Sequence, residues 1–172
     1  MNDASDSCPG GTDSEPPQPR PAGQISVDII ENGGDWTAIP DTVAAIRDAA
    51  AAAARFPESG LLGVEAAVAL SDDAAVTKLN ASYRGKPSPT NVLSFPVHGA
   101  PSANAEPDFV GDIILAAETV MREAEQLGIP PRHHLQHLVI HALLHLSGFD
   151  HDSEASALRM AVSYTHLRAH ET

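Results

Sequence analysis

Residues 141 to 151 read HALLHLSGFDH, and this stretch constrains the chain most, because it fixes a helix, its end and the turn that follows. Positions i and i+4 of an α-helix lie one turn apart on one face, so His141 and His145 can aim their imidazoles at one point. Gly148 can adopt a positive φ and end the helix, letting Phe149 and Asp150 turn back and bring His151 to the same point. Three nitrogen ligands leave an open position on a tetrahedral Zn²⁺, and a metal so held lowers the pKa of a bound water to about 7. The spacing therefore predicts one zinc ion per chain, of the catalytic type, on His141, His145 and His151.

The pattern H-x-x-x-H-x-x-G-x-x-H is the histidine and glycine spacing of the metzincin zinc site. A metallopeptidase carries a glutamate base after the first histidine, whereas this chain has Ala142, which accepts no proton. Peptidase chemistry is thereby disfavoured. Phosphodiesters suit the site better, since their hydrolysis rests on positioning and on stabilising charge at the phosphoryl oxygens, and RNA adds its own 2′-hydroxyl.

Such chemistry calls for a cation near the metal. From Ala74 to Ala105 there is no Asp or Glu, while Lys78, Arg84 and Lys86 are present. In a chain of formal charge −13 this is a local basic strip, and Arg84 and Lys86 are read as lying in the Gly/Pro-rich loop that feeds a strand, placed to project toward a cleft. The competing reading of both is ordinary solvated loop charge. His133, His134 and His137 are read as solvent-facing or supporting groups, with His137 one turn before His141 on the same face. For Asp150 two readings stand side by side: orienting a histidine N–H, or capping a following helix near Ser153 and Glu154.

At 172 residues the chain fits one well-buried domain. Its acidity argues against non-specific coating of nucleic acid, which rests on many Lys and Arg contacts to phosphate. Cys8, the single cysteine, rules out an intramolecular disulfide and a cysteine-built zinc site, and fits a reducing cytosol. No apolar run approaches the roughly 20 residues that span a bilayer, and the N-terminus lacks a signal-peptide pattern. The expectation is a cytoplasmic protein with no membrane partner.

Along the chain, residues 1–23 are rich in Pro, Gly, Ser and Asp and are expected to be a disordered extension. QISVDII alternates as a half-buried strand, and PDTVAAIRDAAAAAARF is an alanine-rich helix ended by Pro57 and Gly60. VEAAVAL is a second strand. Ser71, followed by Asp72 and Asp73, is read as capping the helix DDAAVTKLNASY. A short strand over 92–95 is stopped by Pro96, a polar loop covers 98–108, and FVGDIILA is a further strand. AETVMREAEQLG is a helix ended at Gly128, and RHHLQHLVIHALLHL is the helix of the histidines. The pattern predicts an α+β fold: a single domain over 24–162, with a mixed sheet of about four strands packed by about five helices and the metal site late in the chain. The end, SYTHLRAHET over 163–172, resembles a translated sequencing-adapter fragment and is set aside as a non-native tail.

LNASYRGKPSPTNVLSFP (79–96), GDIILA (111–116) and HALLHLSGFDHD (141–152), in this order and spacing, resemble the YbeY family of bacterial rRNA-maturation endoribonucleases. The similarity covers about 24 to 160. It implies a single-strand-specific, metal-dependent endoribonuclease in 16S rRNA 3′-end maturation and ribosome quality control. It also implies zinc on the three matching histidines, a functional arginine at Arg84, and the 16S rRNA precursor, the small ribosomal subunit and assembly factors as partners, with no DNA. This chain departs from the family pattern at Ala142, usually glycine, at Phe149, more often tyrosine, and after Ser163. Two other functions remain in view: a metallopeptidase or amidase, and a non-enzymatic ribosome-assembly factor stabilised by zinc.

Overall fold

In the computed structural model, residues 24–97, 109–148 and 159 are described. The elements run β1 (Ser26–Glu31), α1 (Thr42–Arg55), a 3₁₀ turn (Pro57–Ser59), β2 (Glu65–Ser71), α2 (Asp73–Arg84), β3 (Val92–Pro96), β4 (Phe109–Ala116), α3 (Ala117–Leu127) and α4 (Pro131–Leu146). The strands form one sheet in the order β1-β2-β4-β3. β1 and β4 pair parallel to β2, and β3 pairs antiparallel to β4 at the edge. This is the expected α+β fold with a mixed four-stranded sheet. Four α-helices and the 3₁₀ turn stand where about five helices were expected, and the helix anticipated near Ser153 lies outside the described residues, as do the N-terminal extension, the 98–108 loop and the C-terminal tail.

Strand alternation sorts the side chains onto two faces. Val27, Val68, Leu70, Ile113 and Leu115 point to one face and pack against Ile46 of α1 and Leu135, Val139 and Leu143 of α4 in a single buried cluster. Alanines 45, 49, 50 and 53 are all buried, so α1 presents a side of small residues on which α4 can lie closely. Gln136 of α4 donates to the carbonyl of Ala45 at 3.2 Å across that seam. The other sheet face carries a smaller cluster, in which Val76 and Leu79 of α2 meet Leu93, Phe95, Ile114 and Ala116.

Two expectations about α2 are corrected. Its N-cap is Asp72, whose carboxylate accepts from the Ala75 N–H at 2.8 Å, while Ser71 ends β2. An aspartate can accept that bond with a full charge at the positive helix end, so it outcompetes the serine one position earlier. The helix also continues through Arg84, which is therefore its last residue and not part of the loop. Gly85 ends it at φ 67°, returning its N–H to the Ala81 carbonyl at 3.2 Å. The buried Asn80 then donates to the Ser88 carbonyl at 3.0 Å, folding the Gly/Pro-rich loop back against α2.

Candidate active site

Register decides what faces α4. Val92 pairs with Leu115 and Ser94 with Ile113, so both share the sheet face covered by α4, whereas Leu93 and Phe95 turn to the α2 side. Between β3, the end of α2 and the middle of α4 lies a cleft of about 330 Å³. Arg84, Asn91 and Ser94 line one side, and His137, His141, Ala142 and His145 line the other. Of the basic strip, Arg84 thus meets the histidine helix, far from it in sequence, in one place.

His141 is partly exposed and His145 exposed. His151, Asp150 and Phe149 lie outside the described residues, and among the described residues no group of three or more His, Cys, Asp or Glu could hold a metal. His137 does not complete a set with both of the others: eight helical positions at 1.5 Å each separate it from His145 by about 12 Å along the axis. The donor pair that the spacing placed on one face, His141 and His145, does share the cleft, and imidazole nitrogen is a donor type that suits zinc. Lys86 is exposed in the loop beyond Gly85 and is not among the residues lining the cleft.

The remaining histidines divide. His137 lines the cleft, and its pKa is lowered from 6.5, first by burial and then by the neighbouring His134 and His141, so at neutral pH it presents a neutral imidazole. His134 is buried, with its Nε2 2.8 Å from Oε2 of Glu123 on α3. The same carboxylate oxygen accepts from Nδ2 of Asn91 at 2.9 Å. Among the described residues no carboxylate lines the cleft; Glu123 sits behind Asn91. Ala142 is only 2 % exposed and belongs to the main core, so the position that holds a base in peptidases is here a packing position.

The sequence reading missed Asn91, Ser94 and Glu123. Ser94 was accessible in principle from the two-residue alternation of VLSFP, once Leu93 and Phe95 are assigned to the opposite face. Glu123 and Asn91, 32 positions apart, had no local signal linking them.

Together the fold and the cleft define an α+β protein with a histidine- and arginine-lined site suited to an anionic group. The profile of the family described as Endoribonuclease YbeY matches residues 31–170, and the chain belongs to that family. It is 45 % identical over 147 residues to the Endoribonuclease YbeY of Rhodospirillum rubrum, covering 80 % of this chain and 72 % of that one. To that of Bradyrhizobium diazoefficiens it is 42 % identical over 138 residues, covering 78 % and 75 %. To that of Azorhizobium caulinodans it is 40 % identical over 146 residues, covering 84 % and 91 %. The fold is similar to the solution structure of TM1509 from Thermotoga maritima, with a TM-score of 0.55 at 20 % identity, covering 84 % of this chain and 93 % of that one.

Proposed function

We propose that this member of an endoribonuclease family is a single-strand-specific, zinc-dependent endoribonuclease, acting in 16S rRNA 3′-end maturation and ribosome quality control. The observation that carries the reading is the cleft itself. In a chain of net charge −13, it brings Arg84 together with three histidines and, among the described residues, no carboxylate. An anionic phosphodiester meets no repulsion there, whereas a peptidase would lack its base.

His141 and His145 would hold the zinc, with His151 as the third ligand. When bound, zinc supplies Lewis acidity at a phosphoryl oxygen and lowers the pKa of water. Arg84 contributes the planar fork of donors that fits phosphate and offsets charge building on the non-bridging oxygens. Its place at the Gly85-terminated end of α2 holds its backbone on regular helix. Lys86, further along the loop, would grip a neighbouring phosphate of the same strand, as a point charge outside the cleft.

The test measures zinc content and cleavage of a single-stranded RNA for the wild type beside His141→Ala and Arg84→Glu. The wild type is expected to hold about one zinc per chain. His141→Ala is expected to lose metal and cleavage together, and Arg84→Glu to keep metal while losing at least about a hundredfold in rate. Full activity in metal-free His141→Ala would overturn the reading. RNA binding with no turnover, alongside a chelator-sensitive melting temperature, would replace it with the assembly-factor role.

A further inference from the structure

Asn91 sits at the entrance to β3, on the cleft side, and both ends of its amide are already assigned. Nδ2 donates to Oε2 of Glu123 at 2.9 Å, and Oδ1 accepts from the Val92 N–H at 2.7 Å. An ionised carboxylate accepts only and a backbone N–H donates only, so two independent partners dictate the same amide orientation. Its backbone carbonyl accepts from the Ala116 N–H at 3.0 Å, which pins the main chain as well. Glu123 is itself fixed, because the same oxygen lies 2.8 Å from Nε2 of the buried His134; that nitrogen must carry the hydrogen to bond an ionised carboxylate. The chain His134, Glu123, Asn91 therefore runs from α4 through α3 to the wall of the cleft, fixing an amide whose second N–H has no other partner among the described residues.

A donor fixed before substrate arrives does not have to be ordered during the reaction, which is the condition under which hydrogen bonds to developing charge accelerate it most. We propose that Asn91 is a substrate-contacting residue that donates its remaining N–H to a phosphate oxygen of the RNA strand, with Glu123 and His134 as the positioning residues that set its orientation. The proposal rests on the ribonuclease reading above and adds to it a second donor, which faces the phosphate alongside Arg84.

The test is steady-state cleavage of a single-stranded RNA with thermal melting of each variant. Asn91→Ala is expected to lower kcat about tenfold to a hundredfold with KM changed less than about threefold, the pattern of a bond made mainly in the transition state. Glu123→Ala is expected to reproduce that loss. Glu123→Gln is expected to stay near wild type, because one neutral amide oxygen can take both bonds now made by Oε2. The double variant Asn91→Ala/Glu123→Ala is expected to be no slower than Asn91→Ala alone, since the two groups act as a unit. Wild-type kcat in Asn91→Ala, or additive losses in the double variant, overturns the proposal while leaving the ribonuclease reading intact. If Asn91→Ala melts below the assay temperature, the glutamate pair decides: equal kcat in Glu123→Ala and Glu123→Gln overturns the proposal. A wild type with no activity on RNA overturns the ribonuclease reading and the proposal with it.

Discussion

The two walls of the cleft are built by opposite means. One wall is a single face of α4, where His137, His141 and His145 repeat every four residues on a helix whose other sides are buried in the core. The other wall is assembled from three separate pieces: the last residue of α2, the residue before β3 and one side of β3 itself. A helical wall needs only the helix to be correct. An assembled wall needs the sheet register, a helix end and a loop to be correct together, so it should be the easier wall to break.

The largest expected effect tests that difference at Gly111, where β4 passes beneath both walls. A Cβ added there would stand 2.3 Å from the Phe95 carbonyl oxygen of β3 and 2.9 Å from a methyl of Leu146 on α4, at a φ of +149°. The carbonyl belongs to the ladder and cannot move without shifting β3, on which Ser94 and the start of the assembled wall depend. Gly111→Ala is expected to cost at least about 3 kcal/mol, seen as a melting temperature lowered by on the order of 10 °C. An unchanged melting temperature would mean that β3 yields freely, and that the assembled wall is no more demanding than the helical one.

The same contrast explains what could be read from the sequence. His141 and His145 were legible because a four-residue spacing on a helix is a statement about space that needs no tertiary information. Arg84 was legible indirectly, through the absence of acids around it, although its exact setting was not: the Asp72 cap and Gly85 end carry the helix one residue past the expected end at Tyr83. The four strands and the α+β class followed from alternation and breakers. The role of His134 was not legible. The spacing leaves solvent-facing and supporting readings of it side by side, and only the packing of α3 against α4 makes it the anchor of Glu123. Asn91 became a site residue through that same long-range contact.

A smaller effect probes the helical wall from inside. Ala142 follows His141 on α4, and its methyl is buried in the core beside the cleft. Ala142→Gly removes one buried methyl, about 0.8 kcal/mol, and places glycine in a helix interior, a further 0.5–1 kcal/mol or so. The expected outcome is a loss of about 1–2 kcal/mol in chemical denaturation with cleavage nearly unchanged. A gain in stability would show that the methyl is compressed, and that this wall, too, carries strain.

The smallest effect concerns His137, whose titration is displaced by its surroundings. Burial, with the charges of His134 and His141 behind it, lowers its pKa below the ordinary 6.5. The folded protein thus binds this proton less readily than the unfolded chain, so protonation favours unfolding. Its contribution to stability is fully present above 6.5 and is lost as the pH falls through the lower folded-state value. Melting temperatures followed from neutral pH downward should therefore fall more steeply for the wild type than for His137→Asn, which has nothing to protonate at that position. Parallel curves would show that His137 takes up its proton on the folded wall as easily as in the unfolded chain.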